Sequence, residues 1–169
     1  MCSNLTKDEI NGKPREYTSF HRLNDALAHR EPRGIPLDIG GTKVTGIHVT
    51  AYRKLVRKLY GDVPQYIPLA HFTQQLAEPS QDLLNDLRVD TAGVFSLTPL
   101  GQTSTGEQGD YYTYLDEWGI GWRMPKDGGL YYDMYIHPLA GGVGDATNYK
   151  WPVGGHPQRM ATFGEQILD

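Results

Sequence analysis

The run GIPLDIGGTKV, residues 34–44, decides the fold class. Its first half, residues 35–39, is short and apolar, with Pro36 near the start where a missing N–H is tolerable. That pattern predicts a buried strand. Gly40, Gly41 and Thr42 then form the turn that follows it. Upstream, Phe20, Leu23 and Leu27 recur at helical spacing within residues 17–29, and Pro32 stops that helix. Downstream, Val49, Tyr52, Leu55, Val56 and Leu59 share one side of a helix over residues 49–59, with Gly61 placed as its C-cap. The order helix, strand, helix then repeats. Residues 66–69 read as a second strand. Residues 79–87 read as a third helix with Leu83, Leu84 and Leu87 on its apolar face, and residues 91–95 as a core strand. Such alternation predicts parallel β/α architecture.

Beyond residue 95 the texture changes. Residues 99–110 are rich in Gly, Ser, Thr and Gln and read as loop. An aromatic-dense stretch follows, broken by Lys126-Asp127-Gly128-Gly129. Asp-Gly between apolar runs predicts a β-hairpin, with residues 117–124 against 130–134. The chain is Gly-rich past His137, and a last helix is expected over residues 161–168. Residues 1–16 are polar and read as a loose tail. One domain, residues 17–169, is therefore expected.

Composition excludes several classes of function. Sixteen Lys and Arg against 20 Asp and Glu give a net charge of -4, which argues against a nucleic-acid partner. The single cysteine, Cys2, precludes an internal disulfide and a thiol-only zinc site. No stretch approaches the roughly 20 apolar residues of a membrane span, and the first twenty residues hold no apolar leader core. A cytoplasmic location and no membrane association are expected.

Three segments in order carry a family likeness: AHREPRGIPLDIGGTKVTGIHVTAYRKL (residues 28–55), QQLAEPSQDLLNDLRVDTAGVF (residues 74–95) and DEWGIGWRMPKDGGLYYDMYIHPLA (residues 116–140). Together they resemble the uroporphyrinogen decarboxylase superfamily, whose members are (β/α)8 barrels. The superfamily includes haem-pathway decarboxylases and corrinoid-dependent methyltransferases acting on methylated amines, methanol or aryl ethers. The resemblance implies an α/β fold: the N-terminal part of a (β/α)8 TIM barrel with an inserted β-hairpin, its site at the C-terminal ends of the strands. A whole barrel needs about 250 residues, so a C-terminal half or a second chain is expected to complete it. Truncation, a split gene and a disrupted gene are three ways such a chain arises.

The departures favour the methyltransferase branch. Decarboxylases of this likeness carry an arginine-bearing run after the first strand, which binds substrate carboxylates. Here that stretch is Ile39-Gly40-Gly41-Thr42-Lys43-Val44. They also carry an Phe-Ser-Asp run whose aspartate meets the pyrrole nitrogens; here it is Phe95-Ser96-Leu97. A leucine cannot accept those N–H bonds or stabilise a positive intermediate. The resemblance thus implies methyl transfer between a small molecule or corrinoid carrier and an acceptor, with a corrinoid protein as a further partner. In that branch zinc is held by His-x-Cys and a later Cys. This chain has neither, so no metal or cofactor is expected on it alone; zinc and corrinoid belong to the complete assembly. Uroporphyrinogen decarboxylase itself and a non-catalytic half-barrel binding or assembly subunit are the alternatives.

No catalytic residue is assigned. The candidate substrate-binding residues are Asp38, Gly40, Gly41, Thr42, Gln75, Phe95, Glu117, Trp118 and Trp122. Asp38 ends the first strand and either faces the barrel mouth or caps its own turn. The Gly40-Gly41-Thr42 backbone can approach an anion or simply close a tight turn. Gln74 and Gln75 serve either a ligand or the surface. Phe95 ends the third strand. Asp116 and Glu117, adjacent on a strand, point to opposite faces; one meets the pocket and the other is solvated or paired with Arg123. Trp118 and Trp122 form either an aromatic wall for a flat ligand or hairpin packing. With no His-x-x-x-His or Glu-x-x-His pair, His48 and His137 are not read as ligands.

Overall fold

The computed structural model describes residues 16–99, 101 and 103–168. Apart from Glu16, the expected polar tail lies outside the described residues. The elements in chain order are α1 (Ser19–Leu27), α2 (Val49–Tyr60), β1 (Leu69–His71), β2 (Leu76–Ala77), α3 (Gln81–Asp86), β3 (Ser104–Gln108), β4 (Tyr111–Leu115), β5 (Gly121–Pro125), β6 (Asp133–Ile136), α4 (Val143–Asn148) and α5 (Phe163–Leu168). A 3-10 turn, Pro157–Met160, precedes α5.

The helices start and stop for local reasons. The His48 ring accepts the Thr50 N–H at 3.2 Å and caps α2, while Gly61, at φ 81°, closes it as the sequence predicts. Ser80 caps α3 through Leu83 N–H. Tyr52 and Val56 of α2 and Leu83 of α3 bury their side chains with Ile67 and Ala77, and Leu87 packs on the edge of this cluster. Helix α1 behaves differently. It buries no residue, and Phe20 and Leu27, expected on its apolar face, are exposed. What holds it is a charge pair: the Arg22 guanidinium donates to Asp90 Oδ1, from Nε at 3.0 Å and from Nη2.

Both sheets are antiparallel, small and open. Strands β1 and β2 form a short hairpin, bridged by residues 47–49 through Val49 N–H to Gln75 O and Ala77 N–H to Ile47 O. The second sheet is a meander, β3-β4-β5-β6. Its β5–β6 pair is the hairpin expected around Lys126-Asp127-Gly128-Gly129, shortened to Gly121–Pro125 against Asp133–Ile136. Two strands differ from the sequence reading. Residues 104–108, read as loop, form β3, joined to β4 by the two-residue turn Gly109-Asp110 with Gly109 at φ 55°. Every β3 residue is exposed, so no alternation of apolar and polar residues marks it. Strand β4 hid inside an unbroken aromatic run.

The expected parallel strands form no ladder among the described residues. Residues 66–69 contribute only Leu69 to one, and that ladder is antiparallel. Residues 35–39 and 91–95 are extended but unladdered. They nevertheless run side by side in one direction. Leu37 N–H donates to Asp90 Oδ2 at 2.9 Å and Asp90 N–H to Leu37 O at 2.8 Å. Thr91 Oγ1 donates to Asp38 Oδ1 at 2.6 Å, and a Cβ on Gly93 would stand 3.0 Å from Gly40 O. The sequence offset of the Leu37–Asp90 and Asp38–Thr91 contacts is 53 in both cases. The reason for the missing ladder is local: Pro36 lacks an N–H, and the carboxylate of Asp90 takes the N–H of Leu37 that a ladder would use.

Candidate functional site

Between the ends of these two runs and the meander lies an open cavity of about 1520 Å³. Of the predicted site residues, Gly40, Phe95, Glu117, Trp118 and Trp122 line it, as does Gln74. They come from three segments distant in sequence. The other four do not line it. Asp38 Oδ1 accepts Gly41 N–H at 2.9 Å and the Thr91 hydroxyl, so Asp38 caps its own turn. Burial pushes its carboxyl up, but the bonds from Thr91, Thr45 and Gly41 hold it below the ordinary carboxylate value. Gly41 must be glycine there: a Cβ would stand 2.5 Å from Asp38 Oδ1 and 2.6 Å from Thr91 Oγ1. Thr42 is exposed and bonded to Thr45 within the same turn. Gln75, at φ 54°, turns β1 into β2 and spends its side-chain amide on Phe72 O.

The two neighbouring carboxylates part company, though not in the expected way. Asp116 sits in the turn after β4, where one oxygen accepts Trp118 N–H at 2.9 Å and Ile120 N–H at 3.0 Å. The other accepts Trp122 Nε1–H at 2.8 Å. It is the brace that fixes the Trp122 ring. Glu117 is paired with Arg159, not Arg123: Nη1 donates to Oε1 at 2.9 Å and Nη2 to Oε2, with both side chains nearly buried. Arg123 instead stacks between Tyr111, at 4.7 Å, and Tyr135, at 5.4 Å.

Sequence reasoning missed several lining groups. His71, Tyr114 and Tyr132 face the cavity beside Phe72, whose ring lies 4.8 Å from Tyr114 and 5.2 Å from Tyr132. Burial raises both tyrosine hydroxyls above their ordinary value. They come from three separate places, the end of β1, strand β4 and the residue before β6, so no single apolar period groups them. The C-terminal segment also reaches the site. Phe95 N–H donates to Gln166 Oε1 at 2.7 Å, and Gln166 Nε2 donates back to Phe95 O at 3.1 Å. Leu97 N–H donates to Arg159 O at 3.1 Å. Nothing in the Gly-rich stretch before Arg159 announced this strap.

The strap makes a testable claim. In Arg159→Ala, chymotryptic cleavage at Tyr149 and Phe163 should quicken several-fold while circular dichroism stays unchanged, since the segment loses its charge-assisted anchor. Unchanged nicking would mean that Gln166 and the backbone bonds hold the segment alone.

Among the described residues no three His, Cys, Asp or Glu side chains gather as a metal group, and no helix is long and apolar enough to cross a membrane. Comparison with known protein families, with characterised proteins and with solved structures finds no match to this chain.

Proposed function

We propose that this chain is the substrate-end portion of a uroporphyrinogen-decarboxylase-like barrel of the corrinoid-dependent methyltransferase type. Its cavity receives the methyl-bearing small molecule. One observation carries the reading: Gly40, Phe95, Glu117, Trp118 and Trp122, drawn from all three family-like segments, line one cavity. The constant offset between the 37–38 and 90–91 contacts supports it, because neighbouring barrel strands would align in this way. In this role Trp122, braced by Asp116, offers a fixed aromatic wall, and the 91–95 run with the strap shields one side from water.

The residues present do not fit zinc: His-x-Cys is absent from the sequence, and the described residues assemble no ligand set. An acceptor-activating metal therefore belongs to the completing half or second chain. A non-catalytic assembly subunit is the second reading. It is favoured by Ile35, Val44 and Val94, apolar side chains on or beside the two extended runs that remain exposed.

The decisive experiment supplies the chain with its completing half and a corrinoid protein, then follows loss of methyl groups from methylated amines, methanol and aryl ethers by mass spectrometry. Demethylated product is expected, and uroporphyrinogen should give no coproporphyrinogen, because Leu97 and the arginine-free turn remove the decarboxylase contacts. Coproporphyrinogen formation, or no demethylation of any of the three classes, would sink the reading.

A further inference from the structure

We propose that His71 is a pH-sensitive pin for the turn 72–75, holding the part of the cavity wall on that turn at neutral pH and releasing it in mild acid. The pin goes beyond methyl transfer and does not depend on what the cavity receives.

The turn joins the two sides of the site. Its Phe72 ring packs on Tyr114 of β4 and on Tyr132, just before β6. Thr73 O accepts Tyr132 N–H at 2.7 Å, and Gln75 O accepts Val49 N–H at 2.8 Å from the start of α2. His71, Phe72, Thr73 and Gln74 all line the cavity. Gln75, at φ 54°, holds a backbone conformation that a residue with a side chain rarely adopts. The turn therefore depends on its own bonds. Gln75 N–H donates to Phe72 O at 3.2 Å, and Gln74 N–H donates to His71 Nδ1 at 3.2 Å.

The second of these bonds exists in one protonation state only. To accept Gln74 N–H, Nδ1 must carry a lone pair, so the neutral ring holds its proton on Nε2. A second proton goes to Nδ1 and sets one N–H against another. The Thr73 hydroxyl, 3.3 Å from the same nitrogen, is then the acceptor at hand. The ring thus exchanges Gln74 N–H for Thr73 Oγ1. Thr73 also carries the carbonyl that holds Tyr132, so the exchange is passed across the seam to the residue before β6.

The surroundings set the direction. Burial, and after it the charge of Lys43 from the 40–45 turn, lower the ring's affinity for protons below the ordinary imidazole value. Across Phe72, the Tyr114 and Tyr132 hydroxyls are raised by burial and stay neutral through this range. Of the carboxylates lining the cavity, Asp90 and Glu117 are ion-paired, Asp116 holds three N–H groups and Glu78 is exposed. None of them bonds the His71 ring among the described residues. A lowered folded-state affinity makes the pinned turn fully stable above about pH 6.5. That stability is lost as the pH falls below this, through the lowered value.

The test follows amide hydrogen exchange by NMR on the 169-residue chain, with intrinsic rates corrected at each pH. Between pH 7.5 and 5, protection of Gln74 N–H and Tyr132 N–H should fall about fivefold, the scale of one hydrogen bond. Ala77 N–H, bonded to Ile47 O in the core, should keep its protection. His71→Asn keeps an acceptor for Gln74 N–H and has no ring to titrate, so its protection should not change with pH. Long-range nitrogen–proton spectra of the wild type should show the Nε2–H tautomer at pH 7.5, a readout that does not need the variant to fold. Wild-type Gln74 protection that is flat with pH overturns the proposal. So does an equal loss in His71→Asn, a parallel loss at Ala77, or the Nδ1–H tautomer at pH 7.5.

Discussion

Leu83→Ala should lower unfolding stability by about 3 kcal/mol, the middle of the range for truncating a fully buried leucine. Leu83 is 0% exposed and belongs to a core whose other buried members, among the described residues, are Tyr52, Val56, Ile67 and Ala77. Each partner is held by a different constraint. Tyr52 receives the Ser80 N–H on its hydroxyl at 3.0 Å, and Ala77 is tied to Ile47 by its backbone. The void therefore cannot be closed by sliding one element, and the cavity term adds to the lost transfer energy. A drop in melting temperature of roughly 10 °C is expected for a domain of this size. A change under about 2 °C would mean the core collapses freely around the site.

Asp90→Ala should come next, at about 2 kcal/mol, below what breaking a fully buried pair costs because Arg22 keeps some solvent. Asp90 does three tasks at once: it anchors α1 through Arg22, accepts Leu37 N–H, and lies where the two extended runs meet. The Arg22 guanidinium, together with the Leu37 N–H and against the cost of burial, holds its carboxyl far below the ordinary carboxylate value. A folded-state affinity for protons that is depressed makes the contribution full above the unfolded value of about 3.9 and lost as pH falls below it. Urea midpoints of wild type and Asp90→Ala should therefore differ at pH 7 and converge on acidification below about pH 4. A gap that widens in acid would contradict the pair's assigned role.

How much was legible follows from which forces leave a mark in sequence. Helix α2 was readable almost to its last residue because burial imposes a 3.6-residue period and Gly61 a stop. Helix α1 was readable in place but not in mechanism: Phe20 and Leu27 gave the period, yet Arg22 and Asp90, 68 positions apart, do the holding. Strand β3 left no mark because neither of its faces is buried. Runs 35–39 and 91–95 were recognised as extended, but side-chain bonds take the place of ladder bonds, which composition cannot foretell. At the site, Glu117, Trp118 and Trp122 were found through their motif. Their partners Arg159 and Asp116 depend on tertiary approach and turn geometry, so the chain alone offered the nearby Arg123 and not the distant Arg159.

The pair of hydrogen bonds between the Phe95 backbone and the Gln166 carboxamide also bears on how such a chain resists aggregation. A carboxamide offers one acceptor and one donor, the same pair that an adjoining strand would present. An extended segment with free N–H and C=O groups is a template for pairing with another molecule. Gln166 occupies that template at Phe95, and the Arg159 carbonyl does so at Leu97. The side chain thus works as an edge guard: any strand arriving to pair with residues 95–97 must first displace it, and a non-cognate strand with less to offer is turned away.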